Sequence, residues 1–434
     1  MKKVLVITYY WPPSGGAGVQ RWLKFTKYLP EFGWQPVVYT PENPEAPAKD
    51  DTLFKDISPE TVVLKTRIWE PYSWYKKFLG IRKEEKINAG FISEHEKPKL
   101  KEKISVWIRG NFFIPDARRF WIRPSIRFLK KYLEENPVDV IVTTGPPHSM
   151  HLIGLGLKKH FSIPWIADFR DPWSEIDFYE QLYLTRMADR KHKRQEKRVL
   201  TTADQVVAVG EIRAKDLESI AGRDVQVITN GYDETDFSST PVKPDEKFSI
   251  IHVGALNRDR NHPVFWKVLG ALVQENPAFS EVMEVRLIGK VDYSVLHQIK
   301  VNGLENHTIK IEYLPHDQIA GVLQSAHLLY LPINNTPKPN SIIPGKIFEY
   351  LASGRPVVGT GPVNGDSAAI LRKTESGIMV DFEDQQTLKE TIQQHYSHFL
   401  KQEWNMNQAP LEYSRRNLTA RMVEIFSEKP GINK

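Results

Sequence analysis

The apolar positions of the chain alternate between short continuous runs and longer stretches with helical spacing. Residues 4–9 form a β-branched and aromatic run, which is typical of a buried parallel strand. In the stretch that follows, apolar residues at helical spacing share one side, and residues 36–40 form a second apolar run. These segments predict a βαβ unit whose first turn, residues 11–18, is rich in glycine and proline.

The same alternation continues along most of the chain. It is interrupted between about residues 41 and 135, where charged and proline-containing sequence predicts an irregular insertion. The later strands fall into two series, which predict two doubly wound parallel sheets of the α/β class. The first series continues at residues 138–144, 164–168, 206–209 and 225–228, and the second occupies residues 248–254, 285–289, 309–315, 328–332 and the end of 340–361.

The length of the chain agrees with two domains. Single hydrophobic cores usually stop growing near 250–300 residues, and this chain has 434. A polar, proline-rich segment at residues 241–247 marks the predicted boundary. We therefore expect a first domain at 1–240, a second at 241–409, and a helix within 410–434 that packs back on the first.

Loops of the predicted first domain carry candidate functional residues. Gly15 and Gly16 would let a ligand approach the backbone, although a tight turn without a ligand has the same composition. Their spacing is not G-x-G-x-x-G, which argues against a dinucleotide site. His148 and His151 follow one strand, and Asp168, Arg170 and Asp171 lie at the end of the next, so we expect a polar cluster at one sheet edge. A structural histidine and a strand-end ion pair are the alternatives.

The predicted second domain carries charges suited to a phosphate. Arg258 and Arg260 lie between a strand and a helix, where arginine can bind phosphate in a bidentate manner. Lys346 and Glu349 share one face at the start of a short helix that Gly354 would end, and the N-terminus of such a helix attracts anions. Glu349 could then bind a ribose while Lys346 faces the phosphates. Surface charge and a solvated ion pair are the alternatives.

Composition narrows the classes of function. The chain has no cysteine, which excludes disulfides and thiolate metal sites and is consistent with a reducing cytoplasm. The net charge of +6 favours anionic ligands or an anionic membrane surface, but is too small to indicate nucleic acid. The first apolar run is too short for a signal peptide, and no apolar window is long enough to span a membrane.

Basic and aromatic residues alternate between residues 104 and 133. Such a segment can lie on an anionic membrane, here through Arg118, Arg119, Arg123 and Arg127. The alternative is an ordinary amphipathic helix that packs Ile126, Leu129 and Leu133 inward.

Three motifs together resemble a known family. These are residues 15–18, residues 230–233, and the stretch 344–352 followed by 354–358. They are similar to glycosyltransferases of the GT-B fold, with two Rossmann-like domains facing each other across a cleft. More narrowly, the chain resembles glycosyltransferase family 4, the retaining nucleotide-sugar transferases.

The resemblance implies a role for each matching position. It implies that the catalytic residues are His148, His151, Asp171, Arg258 and Arg260. For the donor it implies contacts with Gly15, Gly16, Arg258, Arg260, Leu314, Pro315, His316, Ile342, Ile343, Lys346 and Glu349. A nucleotide diphosphate sugar would be the co-substrate, without cofactor or metal. The acceptor would be a saccharide or lipid-linked saccharide of cell-surface polysaccharide synthesis, handled in the cytoplasm or at the inner face of the membrane.

One position departs from the family pattern. The family often has Glu-x7-Glu, in which the first carboxylate contacts the transferred sugar, and here that position is Ser341. This leaves two alternatives to transfer. One is an epimerase or hydrolase of nucleotide sugars, and the other is a non-catalytic nucleotide-sugar-binding partner of a polysaccharide assembly complex.

Overall fold

The computed structural model describes residues 1–45, 48–70, 100–176, 179–237, 242–312, 314–404 and 406–428. The chain forms two compact units. Unit 1 comprises Met1–Thr229 together with the chain from Leu418 onward, and unit 2 comprises Asn230–Asn417. Each unit is a parallel sheet covered by helices, which confirms the predicted α/β class with two doubly wound sheets.

Unit 1 is built on a seven-stranded sheet of order β5-β3-β1-β6-β7-β8-β9. Its strands are β1 Lys2–Ile7, β2 Ser14–Gly15, β3 Trp34–Pro41, β4 Ala48–Lys49, β5 Val62–Thr66, β6 Val140–Gly145, β7 Trp165–Phe169, β8 Gln205–Ala208 and β9 Gln226–Val227, of which β2 and β4 form a separate antiparallel pair. Its helices are α1 Ala17–Tyr28, α2 Leu100–Phe112, α3 Arg119–Glu135, α4 Ser149–Leu157, α5 Arg186–Thr202 and α6 Glu211–Ala221.

Unit 2 is built on a six-stranded sheet of order β12-β11-β10-β13-β14-β15. Its strands are β10 Phe248–Val253, β11 Met283–Ile288, β12 Thr308–Ile311, β13 Leu328–Pro332, β14 Val357–Thr360 and β15 Gly377–Val380. Its helices are α7 Pro263–Glu275, α8 Pro277–Val282, α9 Tyr293–Val301, α10 His316–Ser325, α11 Lys346–Ser353, α12 Asp366–Lys373 and α13 Gln385–Leu400, and α14 Arg415–Ser427 leads back into unit 1.

The alternating direction of side chains along the central strand β1 explains why the sheet of unit 1 has a hydrophobic core on each face. In β1, Val4 and Val6 belong to the same buried cluster as Leu418 of α14, whereas Leu5 and Ile7 belong to the cluster on the opposite face. Successive strand residues point to opposite faces, so a strand buried on both sides reads as one continuous apolar run.

The prediction that residues 41–135 form an irregular insertion is wrong. Among the described residues, it contains the edge strand β5, which pairs in parallel with β3, and the helices α2 and α3. The strand was missed because its apolar run, Val62 to Leu64, is short and is followed by charged residues. Residues 71–99 lie outside the described part of the chain.

The units divide earlier than the predicted linker at 241–247. Tyr232 belongs to unit 2 because its N–H donates to the carbonyl of Tyr413 and its carbonyl accepts the N–H of Arg415. Those bonds fix residues just after Thr229 to the C-terminal end of the same unit. From Leu418, α14 continues with Met422 and Ile425 in the core of unit 1.

Candidate functional site

Each sheet has one position where its strand order reverses. In unit 1 this is between β1 and β6, and in unit 2 it is between β10 and β13. The loops that leave these strand ends diverge, which opens a crevice where open α/β sheets bind ligands. The glycine loop and the turn carrying His148 follow β1 and β6. The arginine loop and the segment leading to α11 follow β10 and β13.

The arginine loop of unit 2 is fixed to the loop after β13. Arg260 donates from Nε to Oδ1 of Asn334 over 2.6 Å and from Nη1 to the carbonyl of Ala255 over 3.1 Å. The N–H of Asn335 donates to the carbonyl of Asp259 over 2.8 Å. Burial lowers the pKa of Arg260, while Tyr350 and Asp259 oppose that shift. Its Nη2 has no acceptor among the described residues, so this edge of the guanidinium is available to a ligand.

Arg258 differs from Arg260 in being exposed. Within the described part of the chain its side chain forms no hydrogen bond or ion pair, and it begins the 3₁₀ turn Arg258–Arg260. The structure therefore brings both predicted arginines to the end of β10, one held in place and one extended into solvent.

Helix α11 begins beside this loop. Lys346 and Glu349 form an ion pair with Nζ and Oε2 2.7 Å apart, and their side chains are 33% and 25% exposed. The backbone N–H groups of Ile343, Gly345 and Lys346 have no backbone acceptor in the described residues. Unpaired N–H groups and the positive end of the helix dipole form a natural anion site. The helix ends at Gly354, whose φ of 71° suits glycine.

Tyr350 holds α11 against the strand ends. The side chain is fully buried, its hydroxyl accepts the N–H of Val253 over 2.9 Å, and it donates to the carbonyl of Tyr330 over 3.4 Å. Burial raises the pKa of Tyr350, so the hydroxyl stays protonated. These hydrogen bonds of Tyr350 could not be foreseen from the sequence, because they depend on the partner strands.

The segment before α11 contains the departure from the family pattern. Ser341 is 7% exposed, and its hydroxyl donates to the carbonyl of Lys338 over a long 3.4 Å. The carbonyl of Ile342 accepts from the Ser367 hydroxyl over 2.7 Å, which ties the segment to α12. Ile343 is half-buried. These residues therefore adjoin the start of α11, with a neutral hydroxyl where the family has a carboxylate.

The predicted base-binding residues lie further along the same edge. Leu314 is half-buried and Pro315 is exposed directly before α10. Since β11 separates β12 from β10, this segment is about two strand spacings, roughly 10 Å, from the arginine loop. The side chain of His316 lies outside the described part of the structure.

In unit 1, Arg170 joins the first turn of α1 to the turn after β6. Its guanidinium donates to the carbonyls of Gly18 and Pro146, and its backbone N–H donates to the carbonyl of Gly145. Gly15 is buried in the β2–β4 pair, whereas Gly16 is exposed, with a φ of 97°, at the start of α1. The structure thus places the glycine loop beside the histidine turn.

The two candidate histidines differ in accessibility. His151 is fully buried, bonds through Nδ1 to the Thr143 hydroxyl at 2.9 Å, and lies behind Gly145. His148 is 8% exposed and stacks on Trp173 with ring centroids 4.9 Å apart. Burial lowers the pKa of His148 to about 4, although Asp116 opposes the shift, so the ring is neutral near pH 7. The geometry therefore favours His148 for contact with a ligand.

The carboxylates of the predicted cluster separate into two kinds. Asp168 is fully buried and forms an ion pair with Arg21 at 2.9 Å, and it also accepts from Trp22 and Thr144. It is thus a structural group, as the strand-end alternative proposed. Asp171 is exposed at the end of the following turn. No sequence signal showed that Arg21, on an amphipathic helix, would be the buried partner of Asp168.

No group of three or more His, Asp or Glu side chains converges as a metal site requires in the described ranges. No helix found there combines the length and apolarity needed to cross a bilayer.

Comparison with known proteins identifies the class. The family model described as Glycosyltransferase Family 4 matches residues 15–236, and the model described as Glycosyl transferases group 1 matches residues 247–398. The fold and these matches define a glycosyltransferase with the GT-B fold. The chain belongs to glycosyltransferase family 4, which confirms the resemblance seen in its motifs. A comparison with curated protein sequences finds no match.

Solved structures share the fold over nearly the whole chain. A glycosyltransferase from Rickettsia africae is 14% identical with a TM-score of 0.63, covering 100% of this chain and 99% of that one. A sucrose-phosphate synthase from Thermosynechococcus elongatus is 14% identical with a TM-score of 0.60, covering 98% of both. The N-terminal domain of a Candida albicans trehalose-6-phosphate phosphatase is 14% identical with a TM-score of 0.57, covering 98% and 96%. At such identities the likeness concerns the fold alone.

Proposed function

We propose that the protein transfers a glycosyl group from a nucleotide diphosphate sugar to a saccharide or lipid-linked saccharide in cell-surface polysaccharide synthesis. The observation that carries this proposal is the cluster at the switch point of unit 2. There Arg258, Arg260, Lys346 and the start of α11 present positive charge and unpaired N–H groups at one place. A diphosphate is the ligand that such a cluster fits.

In the proposed donor site, Lys346 and Glu349 have different roles. In the structure they neutralise each other, but each suits a different part of the donor. Glu349 would accept hydrogen bonds from the ribose hydroxyls, and Lys346 would turn to the phosphates. The arginines and the helix N-terminus would then stabilise the charge that develops on the departing diphosphate, which is the usual electrostatic route for such a reaction.

On the acceptor side we propose His148 as the group that contacts the transferred sugar. Its ring is neutral and rigidly stacked, so it can offer a hydrogen bond without a charge. We further propose a retaining reaction that needs no metal. Once an acceptor is found, proton NMR of the product tests retention, because an inverted anomeric linkage contradicts it. Turnover that persists in a metal chelator supports metal independence.

Contact with an anionic membrane surface is a second part of the proposal. Trp107, Phe112 and Phe120 are exposed on α2 and α3, and Arg123 and Arg127 are exposed on α3. The prediction that Arg118 contacts the membrane is wrong, because Arg118 is 8% exposed and pairs with Glu70. We expect flotation with anionic vesicles at low salt that is lost in a Phe112→Ser, Arg123→Glu, Arg127→Glu variant. Equal flotation with neutral vesicles contradicts the electrostatic part.

A screen of nucleotide sugars by thermal shift tests the proposed function. A ligand present at 100 times its Kd stabilises the folded protein by about 2.7 kcal/mol, so the true donor should stand out. A sugar that stabilises the protein and is transferred to an acceptor supports the proposal. Turnover without any acceptor supports the epimerase or hydrolase alternative. Binding without turnover on any acceptor supports the non-catalytic alternative, for which the Ser341 departure is the motivating observation.

A further inference from the structure

A buried histidine stands at the end of β10, next to the donor cluster. His252 is 4% exposed, and its Nδ1 lies 3.0 Å from the carbonyl oxygen of Tyr330. A carbonyl can only accept a hydrogen bond, so Nδ1 carries the hydrogen and Nε2 is left unprotonated. Nε2 is buried and has no hydrogen-bond partner among the described residues. Buried polar atoms normally have a partner, so this nitrogen needs an explanation.

The position of Nε2 is defined by the glycine that follows the strand. A Cβ built on Gly254 would lie 3.9 Å from Nε2 of His252 and 3.9 Å from Cγ of Lys346. Both side chains therefore border the same small space beside the α-carbon of Gly254. Gly254 has a φ of 127°, a conformation that L-residues rarely adopt, which keeps this space free of a side chain.

The charges around the ring are positive. Of the described residues, the charged groups that interact with His252 are Arg260 from the loop after β10 and Lys346 from α11. From β13, the carbonyl of Tyr330 accepts its hydrogen bond. Glu349 is engaged with Lys346, and Asp259 acts on Arg260. Burial, and after it the two cations, lowers the pKa of His252 to about 4, although the Tyr330 bond opposes the shift.

A bound diphosphate would reverse the effect of the positive charges around the His252 ring. It neutralises Arg260 and Lys346, and it would place oxygen lone pairs near the lone pair of Nε2. Two facing acceptors repel each other, whereas a proton between them makes a charge-assisted hydrogen bond. We propose that His252 is a further cationic contact of the donor diphosphate, taking one proton from solvent onto Nε2 when a nucleotide sugar binds. This inference rests on the proposed nucleotide-sugar function.

Isothermal titration calorimetry in buffers of different ionisation enthalpy measures the proton count. The probes are UDP-glucose, GDP-mannose, ADP-glucose and dTDP-glucose, whose diphosphates do not titrate near neutrality. For the sugar that binds, we expect net proton uptake at pH 6.5 and affinity at least threefold higher at pH 6.5 than at pH 7.5. Binding without proton uptake overturns the proposal. If none of the four binds, the proposed function fails as well, which is a separate result.

Two substitutions test whether the proton binds to Nε2 of His252. His252→Asn can keep the bond to Tyr330 but cannot reach the position of Nε2, and His252→Gln can reach that position but cannot titrate. Both should lose the proton uptake, and the asparagine variant should bind roughly tenfold more weakly, as expected for a lost hydrogen bond to a charged group.

The matched control is His327→Asn. His327 is also buried, its pKa is also lowered to about 4 by burial, and it directly precedes β13, at the opposite end of the strands. It should leave the proton count unchanged. Uptake that persists in both folded His252 variants overturns the assignment, and if neither variant folds, the wild-type proton count alone decides.

Discussion

The switch points of the two sheets use similar residue types in different ways. In unit 1 the charges are enclosed, since Arg21 and Asp168 are 1% and 0% exposed and Arg170 bonds to the carbonyls of Gly18 and Pro146. In unit 2 the ion pair stays accessible, since Lys346 and Glu349 are partly exposed and, among the described residues, pair only with each other. Enclosed, fully paired charges hold a scaffold, whereas accessible charges can exchange their partners for a ligand.

The largest expected effect is on the enclosed pair of unit 1. Asp168→Asn leaves the charge of Arg21 buried without a counter-ion, so we expect unit 1 to lose about 3–5 kcal/mol in its free energy of unfolding. Urea denaturation followed by tryptophan fluorescence measures this loss. The exposed pair of Lys193 with Asp189 provides the control, and Lys193→Gln should cost less than about 1 kcal/mol. Equal, small losses in both variants would remove the distinction between enclosed and accessible charges.

Acid should weaken unit 1 through its buried histidine. Burial lowers the pKa of His148 in the folded protein to about 4, below the ordinary histidine value of 6.5, so the unfolded chain takes up a proton first. The stabilisation is complete above about pH 6.5 and is lost as the pH falls towards 4, by about 3 kcal/mol for a shift of this size. Urea midpoints at several pH values should depend less on pH in His148→Gln. An unchanged dependence contradicts the assignment.

Two glycines test how tightly each switch point is packed. A Cβ on Gly145 would lie 2.6 Å from Nε2 of His151, so Gly145→Ala should cost about 1–3 kcal/mol. A Cβ on Gly345 meets nothing within 4 Å among the described residues, and its φ of −56° suits alanine. Gly345→Ala should therefore leave thermal stability unchanged or slightly raised. A loss at Gly345 as large as that at Gly145 contradicts the contrast.

The smallest expected effect on stability is at the donor pair. Half-exposed ion pairs contribute little, so Lys346→Met should change the unfolding free energy of unit 2 by less than about 1 kcal/mol. Chemical denaturation measures it. A loss of several kcal/mol would make Lys346 a scaffold residue rather than a ligand-binding one.

The sequence predicted the sheets and the loops at their carboxyl ends because both depend on local patterns. Continuous apolar runs such as residues 4–9 predicted the buried strands, and Gly354 predicted the end of α11. These signals depend on local periodicity and on backbone conformations that few residues adopt.

What the sequence could not predict depends on partners distant in the chain. Asp168 looked like a site residue until its partner Arg21, 147 positions earlier, was seen. His252 lies inside an apolar run and drew no attention, since its role depends on Tyr330 and Lys346 from other elements. Edge strand β5 was missed because its short run is bounded by polar residues. The roles of the individual site residues stay predictions.

Calorimetric titration of the stabilising nucleotide sugar into three variants tests the donor site most directly. Arg260→Met and Glu349→Gln each remove one charged contact, so both should bind about tenfold or more weakly than the wild type. Glu412→Gln is the control, because Glu412 forms an exposed pair with Lys373 elsewhere in unit 2. It should bind as the wild type does. Wild-type affinity in both Arg260→Met and Glu349→Gln would contradict the donor site at the switch point of unit 2.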